Sequence, residues 1–128
     1  MKVHVFLGEF KSRKDAISYT ETYWEPEPDE TVSEEEYSLW ENNNPKWEMK
    51  SDLNCYLDGD FIETITDENK FEYLCGMIEN PENVKHLKHE LENKELILIF
   101  EKAINSENPE LKSTNRIEYK GVYESTLK

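Results

Sequence analysis

A chain of 128 residues can build one domain around a single hydrophobic core. Its net charge of −14 opposes binding to nucleic acid or to an anionic membrane and favours basic proteins as partners. No run of about 18 apolar residues is present, so a membrane span is excluded, and the 12% aromatic content argues for a folded domain with a heavily charged surface.

The charge is uneven. Between Glu21 and Glu63 there are 14 acids and two lysines, so this third of the chain carries −12. Within it, the segment 22–44 (TYWEPEPDETVSEEEYSLWENNN) holds eight carboxylates and no lysine or arginine, interrupted by Tyr23, Trp24, Tyr37 and Trp40. A solvated face would account for the charge alone. The apolar run at the N-terminus is too short for a secretory signal, so a cytoplasmic protein with Cys55 and Cys75 reduced is expected.

Val3 to Phe10 alternates as a first strand, weakened at Gly8. Ser12 caps a helix running to about Tyr23, with Asp15 at the capping-box position and Ala16, Ile17, Tyr19, Thr20 and Tyr23 on its apolar side. Trp24 to Thr31 carries two prolines among acids and is expected to be extended and exposed. Ser33 caps a second, short helix. Its first turn is Glu34, Glu35 and Glu36, with Tyr37 and Trp40 on one face and an end at Asn42–Pro45.

Lys46 to Leu57 is ambiguous and reads as a loop feeding a short strand, and Asp58-Gly59-Asp60 as a turn. Phe61 to Ile65 is expected as a short strand or an extended approach to the next helix. Thr66 and Asp67 open a helix carrying Phe71, Leu74, Cys75 and Ile78, and Asn80-Pro81-Glu82 starts another through Val84, Leu87 and Leu91. Glu95 to Ile104 contains LILIF and reads as a central strand. A polar loop with Pro109 precedes a last strand from Arg116 to Glu124, with a bulge at Gly121. The two final strands look like a hairpin pair. The sum is one α+β domain over residues 1–128, a small mostly antiparallel sheet covered by helices.

Catalytic patterns fail one by one. His86 and His89 stand three apart, whereas a zinc-protease helix needs two histidines four apart with a glutamate between; Lys85 and Lys88 also oppose a cation there. Asp52, Asn54 and Tyr56 do not supply a calcium loop, since Leu57 stands where glycine is needed. With four glycines and neither a G-x-S-x-G nor a phosphate-loop pattern, no cofactor, metal or catalytic residue is expected. The cysteines lie in apolar settings suited to packing. Nucleic acid finds no basic stripe, although mimicry of it by ordered carboxylates stays open.

Trp24, Trp40 and Trp47 admit two readings: core residues, or interface anchors ringed by steering charge. The second explains why the acidic segment keeps its aromatics.

Three stretches carry a resemblance. VFLGEFKSRKDAISYTETYW resembles the opening strand, L-G-x-F turn and helix of the bacterial immunity protein 22 family. YLDGDFIETI resembles that family's central acidic segment, and LILIF with YKGVYES its last two strands. Together they cover most of the chain in order, each motif being short. The resemblance implies an immunity protein of a polymorphic toxin system, which binds and neutralises a cognate toxin in the cytosol without catalysis. It carries over to Leu7, Gly8, Phe10, Asp58, Asp60, Phe61 and Glu63, with Phe10 and Phe61 expected in the core, Gly8 at a turn, and the three acids as toxin contacts or turn caps. The family does not fix the toxin's chemistry; the acidity leans toward a nuclease, whose active-site surface is basic. The expected partner contacts are Glu34, Glu35, Tyr37, Trp40, Asp58 and Asp60. Two rivals stand beside this reading: a small cytosolic adaptor for an endogenous basic protein, and an enzyme using Asp58, Asp60 or His86. A monomer and a strand-paired homodimer are both compatible with the sequence.

Overall fold

The computed structural model describes residues 1–104 and 111–127. Four strands, β1 (Lys2–Gly8), β2 (Ile62–Ile65), β3 (Glu95–Phe100) and β4 (Ile117–Glu124), form one sheet in the order β2-β3-β1-β4. All neighbours are antiparallel. Five α-helices are described: α1 (Arg13–Thr20), α2 (Glu34–Asn42), α3 (Glu48–Leu53), α4 (Lys70–Met77) and α5 (Lys88–Leu91). The class is α+β, as the sequence predicts.

The strand alternation sorts the core into two layers. Val3, Val5 and Leu7 of β1 join Leu96, Leu98 and Phe100 of β3 on one face, against Leu74 from α4, Ile78 just after it, and Val84, Leu87 and Leu91 further along the chain. Phe6, Ile97, Ile99 and Ile117 face the other way, onto Tyr19, Met49, Leu53, Leu57 and Ala103. LILIF is continuously apolar because β3 is central and both of its faces are covered.

Several sequence expectations change. The last two strands are not a hairpin, because β1 lies between β3 and β4. β1 ends at Gly8, not Phe10. A Cβ on Gly8 would run into the Phe10 ring and reach 3.0 Å from Ile117 Cγ2, so close packing rather than a turn conformation calls for glycine there. α1 stops at Thr20, since Tyr23 instead exchanges backbone hydrogen bonds with Lys46 (2.9 and 2.8 Å). The ambiguous stretch after Lys46 contains helix α3, which buries Met49 and Leu53 on one side. α4 begins at Lys70 rather than Thr66; the Asp67 carboxylate accepts the Asn69 N–H and shapes the turn before it. After Asn80, residues Pro81–Leu87 wind as a 3-10 helix before α5. Phe10 and Phe61 are half-buried at the edge of the core, as are Cys55 and Cys75, which are free thiols. The polar loop around Pro109 lies outside the described residues, apart from its end at 111–114.

The β4 edge is partly covered. Ser113 Oγ accepts the Tyr119 N–H at 2.9 Å, Glu79 N–H donates to the Glu124 carbonyl at 2.9 Å, and Ile78 bridges Ser125. Between these ends the register slips opposite Val5 and Phe6, with Gly121 at φ +109°, the bulge expected at that glycine.

Candidate acidic interface

The segment 22–44 folds back on itself. Ser33 Oγ accepts the Glu36 N–H (3.1 Å) and starts α2, placing Glu34, Glu35 and Glu36 in the first turn, where the helix dipole favours negative charge. The Pro-Glu strand before it is then pinned to the helix by aromatics. Trp40 stacks between Trp24 and Tyr37, with ring centroids 5.5 and 5.4 Å away, both tilted near 45°. Trp40 Nε1 donates to the Glu25 carbonyl (3.2 Å), and the Tyr37 hydroxyl donates to Glu27 (2.9 Å).

Asn44 ties the two ends. Its Oδ1 accepts the Glu25 N–H at 2.9 Å, and its Nδ2 donates to the Trp40 carbonyl at 2.8 Å. Lys46 adds an ion pair to Glu25 at 3.1 Å. The aromatics are therefore braces. They cost little charge: of the eight carboxylates, Glu25 meets Lys46 and Glu27 meets Tyr37, while Asp29, Glu30, Glu34, Glu35, Glu36 and Glu41 have no ion pair among the described residues. The Tyr37 hydroxyl, bound to Glu27, is held protonated above its ordinary range by that carboxylate.

The expected contact residues divide into three groups. Glu34 and Glu35 are exposed at the head of α2. Tyr37 and Trp40 are half-buried and turned toward the Pro-Glu strand, so they present only part of their rings. Asp58 caps, and Asp60 lies in, the 3-10 turn Gly59–Phe61 that leads into β2. Asp58 Oδ1 accepts the Asp60 N–H (3.0 Å), a capping role, whereas the Asp60 side chain is exposed. No hydrogen bond or ion pair joins these two acids to α2 among the described residues. Glu63 in β2 accepts a hydrogen bond from Tyr73, whose hydroxyl is pushed up to about 12 by burial first and by that carboxylate second.

Trp24 is 58% exposed and Leu39 61% exposed. Exposure at Trp24 matches the extended, exposed Pro-Glu stretch expected there, whereas Leu39 escaped the sequence reading. Leu39 stands one residue off Trp40, about 100° around the helix, so helical periodicity alone could have placed it on the outer face.

His86 and His89 are exposed, and His89 faces Glu92 at 3.5 Å. His4 Nδ1 lies 2.8 Å from the Tyr119 hydroxyl, and burial holds its pKa below the usual value. No group of three or more His, Cys, Asp or Glu side chains is gathered to hold a metal among the described residues. No helix of the described residues is long and apolar enough to cross a membrane. In comparison with known proteins, no family model, curated protein or solved structure matches the chain.

Proposed function

We propose that the chain is a non-catalytic inhibitor of the immunity-protein type, working in the cytoplasm, whose acidic surface docks on a basic toxin domain. A nuclease is the toxin class that best fits this charge, because a phosphate-binding surface is cationic before its substrate arrives. The observation that supports the reading is the braced segment 22–44. Six unpaired carboxylates on a folded scaffold lose less freedom on binding than the same charges on a loose tail. Their field also steers a cationic partner into encounter.

The test is co-expression with the protein encoded directly upstream, tagging only this chain and eluting across a salt gradient. A stoichiometric complex that weakens as salt rises is the expected result. Failure to retain that protein at low salt, or the lack of a toxin-like neighbour, removes the immunity reading and leaves the adaptor.

A further inference from the structure

The two sheet edges differ. Along β4, the loop at Ser113, the bulge at Gly121 and the Ile78–Glu79 connection occupy or distort the edge. Along β2, the Ile62 N–H turns back to the Gly59 carbonyl, but the backbone of Glu63–Ile65 bonds only within the ladder to β3 among the described residues. The backbone groups of Glu63–Ile65 that face away from β3 therefore have no partner within the described residues, the template on which another strand can form.

Two grooves adjoin this edge and share Thr64. One, of about 280 Å³, lies by Ile62 and Thr64 and is walled by Thr20 and Trp47. The other, of about 350 Å³, runs along Glu63, Thr64 and Ile65 and is walled by Arg13 and Tyr73. A strand laid about 4.8 Å from β2 would send alternate side chains to opposite faces of the sheet, with these grooves beside it.

The rim identifies the guest. Glu21, Asp60, Glu63 and Asp67 surround the edge, with Arg13 the cation among the groove residues. Two copies of so acidic an edge repel each other, whereas a basic segment is attracted. We infer that the free edge of β2 takes up an extended lysine- or arginine-bearing segment of the protein partner as a fifth strand. The inference rests on the basic partner proposed above and adds how that partner is held: backbone to backbone at β2, beside Asp60.

The test uses the full chain, uniformly labelled for amide NMR, with a seven-residue blocked peptide of alternating lysine and valine. Its control is the same peptide N-methylated at alternate residues, which keeps the charge and removes the strand-forming donors. The amides within Glu63–Ile65 that face away from β3 are expected to slow in exchange by about tenfold or more with the first peptide only. Glu21→Lys with Asp60→Lys, both at exposed positions, is expected to weaken the peptide about tenfold. Unchanged affinity in that variant, or equal binding of the methylated peptide, overturns the inference. Perturbation confined to 34–42 also overturns it while preserving the acidic-surface reading. No perturbation at millimolar peptide overturns it outright. Protection at β2 that grows with protein concentration alone assigns the edge to a second copy and overturns it too.

Discussion

Replacing Trp40 by alanine separates the acidic segment from the domain that carries it. Trp40 is the centre of the brace: it meets Trp24 and Tyr37 and donates to the Glu25 carbonyl. Each aromatic pair contributes about 0.5–1.5 kcal/mol, and a hydrogen bond in a partly wet setting adds about 0.5–1 kcal/mol. Because the ring is only half-buried, the lower part of these ranges applies and the loss is about 2 kcal/mol, or roughly 30-fold in a local equilibrium. That loss should be local, since α2 buries none of its residues. Hydrogen exchange of the amides in Glu34–Asn42 is therefore expected to speed up about 30-fold, while exchange in β3 and the global melting temperature stay within error. The net charge is unchanged, so steering persists and any partner dissociates faster instead. A cooperative fall in the melting temperature would refute the view of α2 as a separately braced unit. Unchanged exchange in α2 would refute the aromatic brace itself.

Glu34→Lys with Glu35→Lys alters the field without touching the brace; the association rate with a basic toxin domain is expected to fall about tenfold at low salt, and its salt dependence to flatten. Stopped-flow rates that match the parent across a salt series would discard the steering role. His4 gives a pH effect whose sign follows from burial: its folded pKa lies below the unfolded value of 6.5, so the unfolded chain binds the extra proton first. Stability is then lost as pH falls below about 6.5, and His4→Gln should shrink that slope in urea titrations at pH 7.5 and 5.5. An unaltered slope would place the linkage elsewhere. Gly121→Ala forces a side chain into φ +109°, and a loss of about 1–3 kcal/mol in urea unfolding is expected, with β4 retained by its other bonds; a neutral result would mean that the bulge relaxes at no cost.

Periodicity made β1 and α4 legible, through Val3, Val5 and Leu7 on the strand and Leu74 with Ile78 along and just past the helix, while β3 was legible from the unbroken apolar run of a strand covered on both faces. The capping serines were equally legible, since Ser12 and Ser33 both accept the N–H three residues on. α3 was missed because six residues give too short a period, and its start at Trp47 has no side-chain cap. The order of the sheet was missed because chain proximity suggested a β3–β4 pair, whereas β1 separates them in space. At the candidate interface, the spacing of Tyr37 and Trp40 announced a shared helix face. Which surface that face would meet depended on Asn44 and Lys46 closing the Pro-Glu strand back over the helix, contacts that no local pattern encodes.

That closure changes which residues should matter for binding. Alanine scanning finds binding energy concentrated in apolar anchors that become fully desolvated, with charges at the rim governing rate more than affinity. Tyr37 and Trp40 already spend much of their surface on Trp24 and on each other, so little remains for a partner to cover. Trp24 and Leu39 keep more than half of theirs exposed. On the proposed reading, affinity should therefore rest on Trp24 and Leu39, association rate on Glu34 and Glu35, and scaffold order on Tyr37 and Trp40. Leu39→Ala against the cognate basic partner distinguishes these roles: a faster dissociation with unchanged association and unchanged hydrogen exchange in α2 is the expected signature. If instead Leu39→Ala leaves dissociation untouched while Trp40→Ala accelerates it without loosening α2, the half-buried ring contacts the partner directly and the division of labour is wrong.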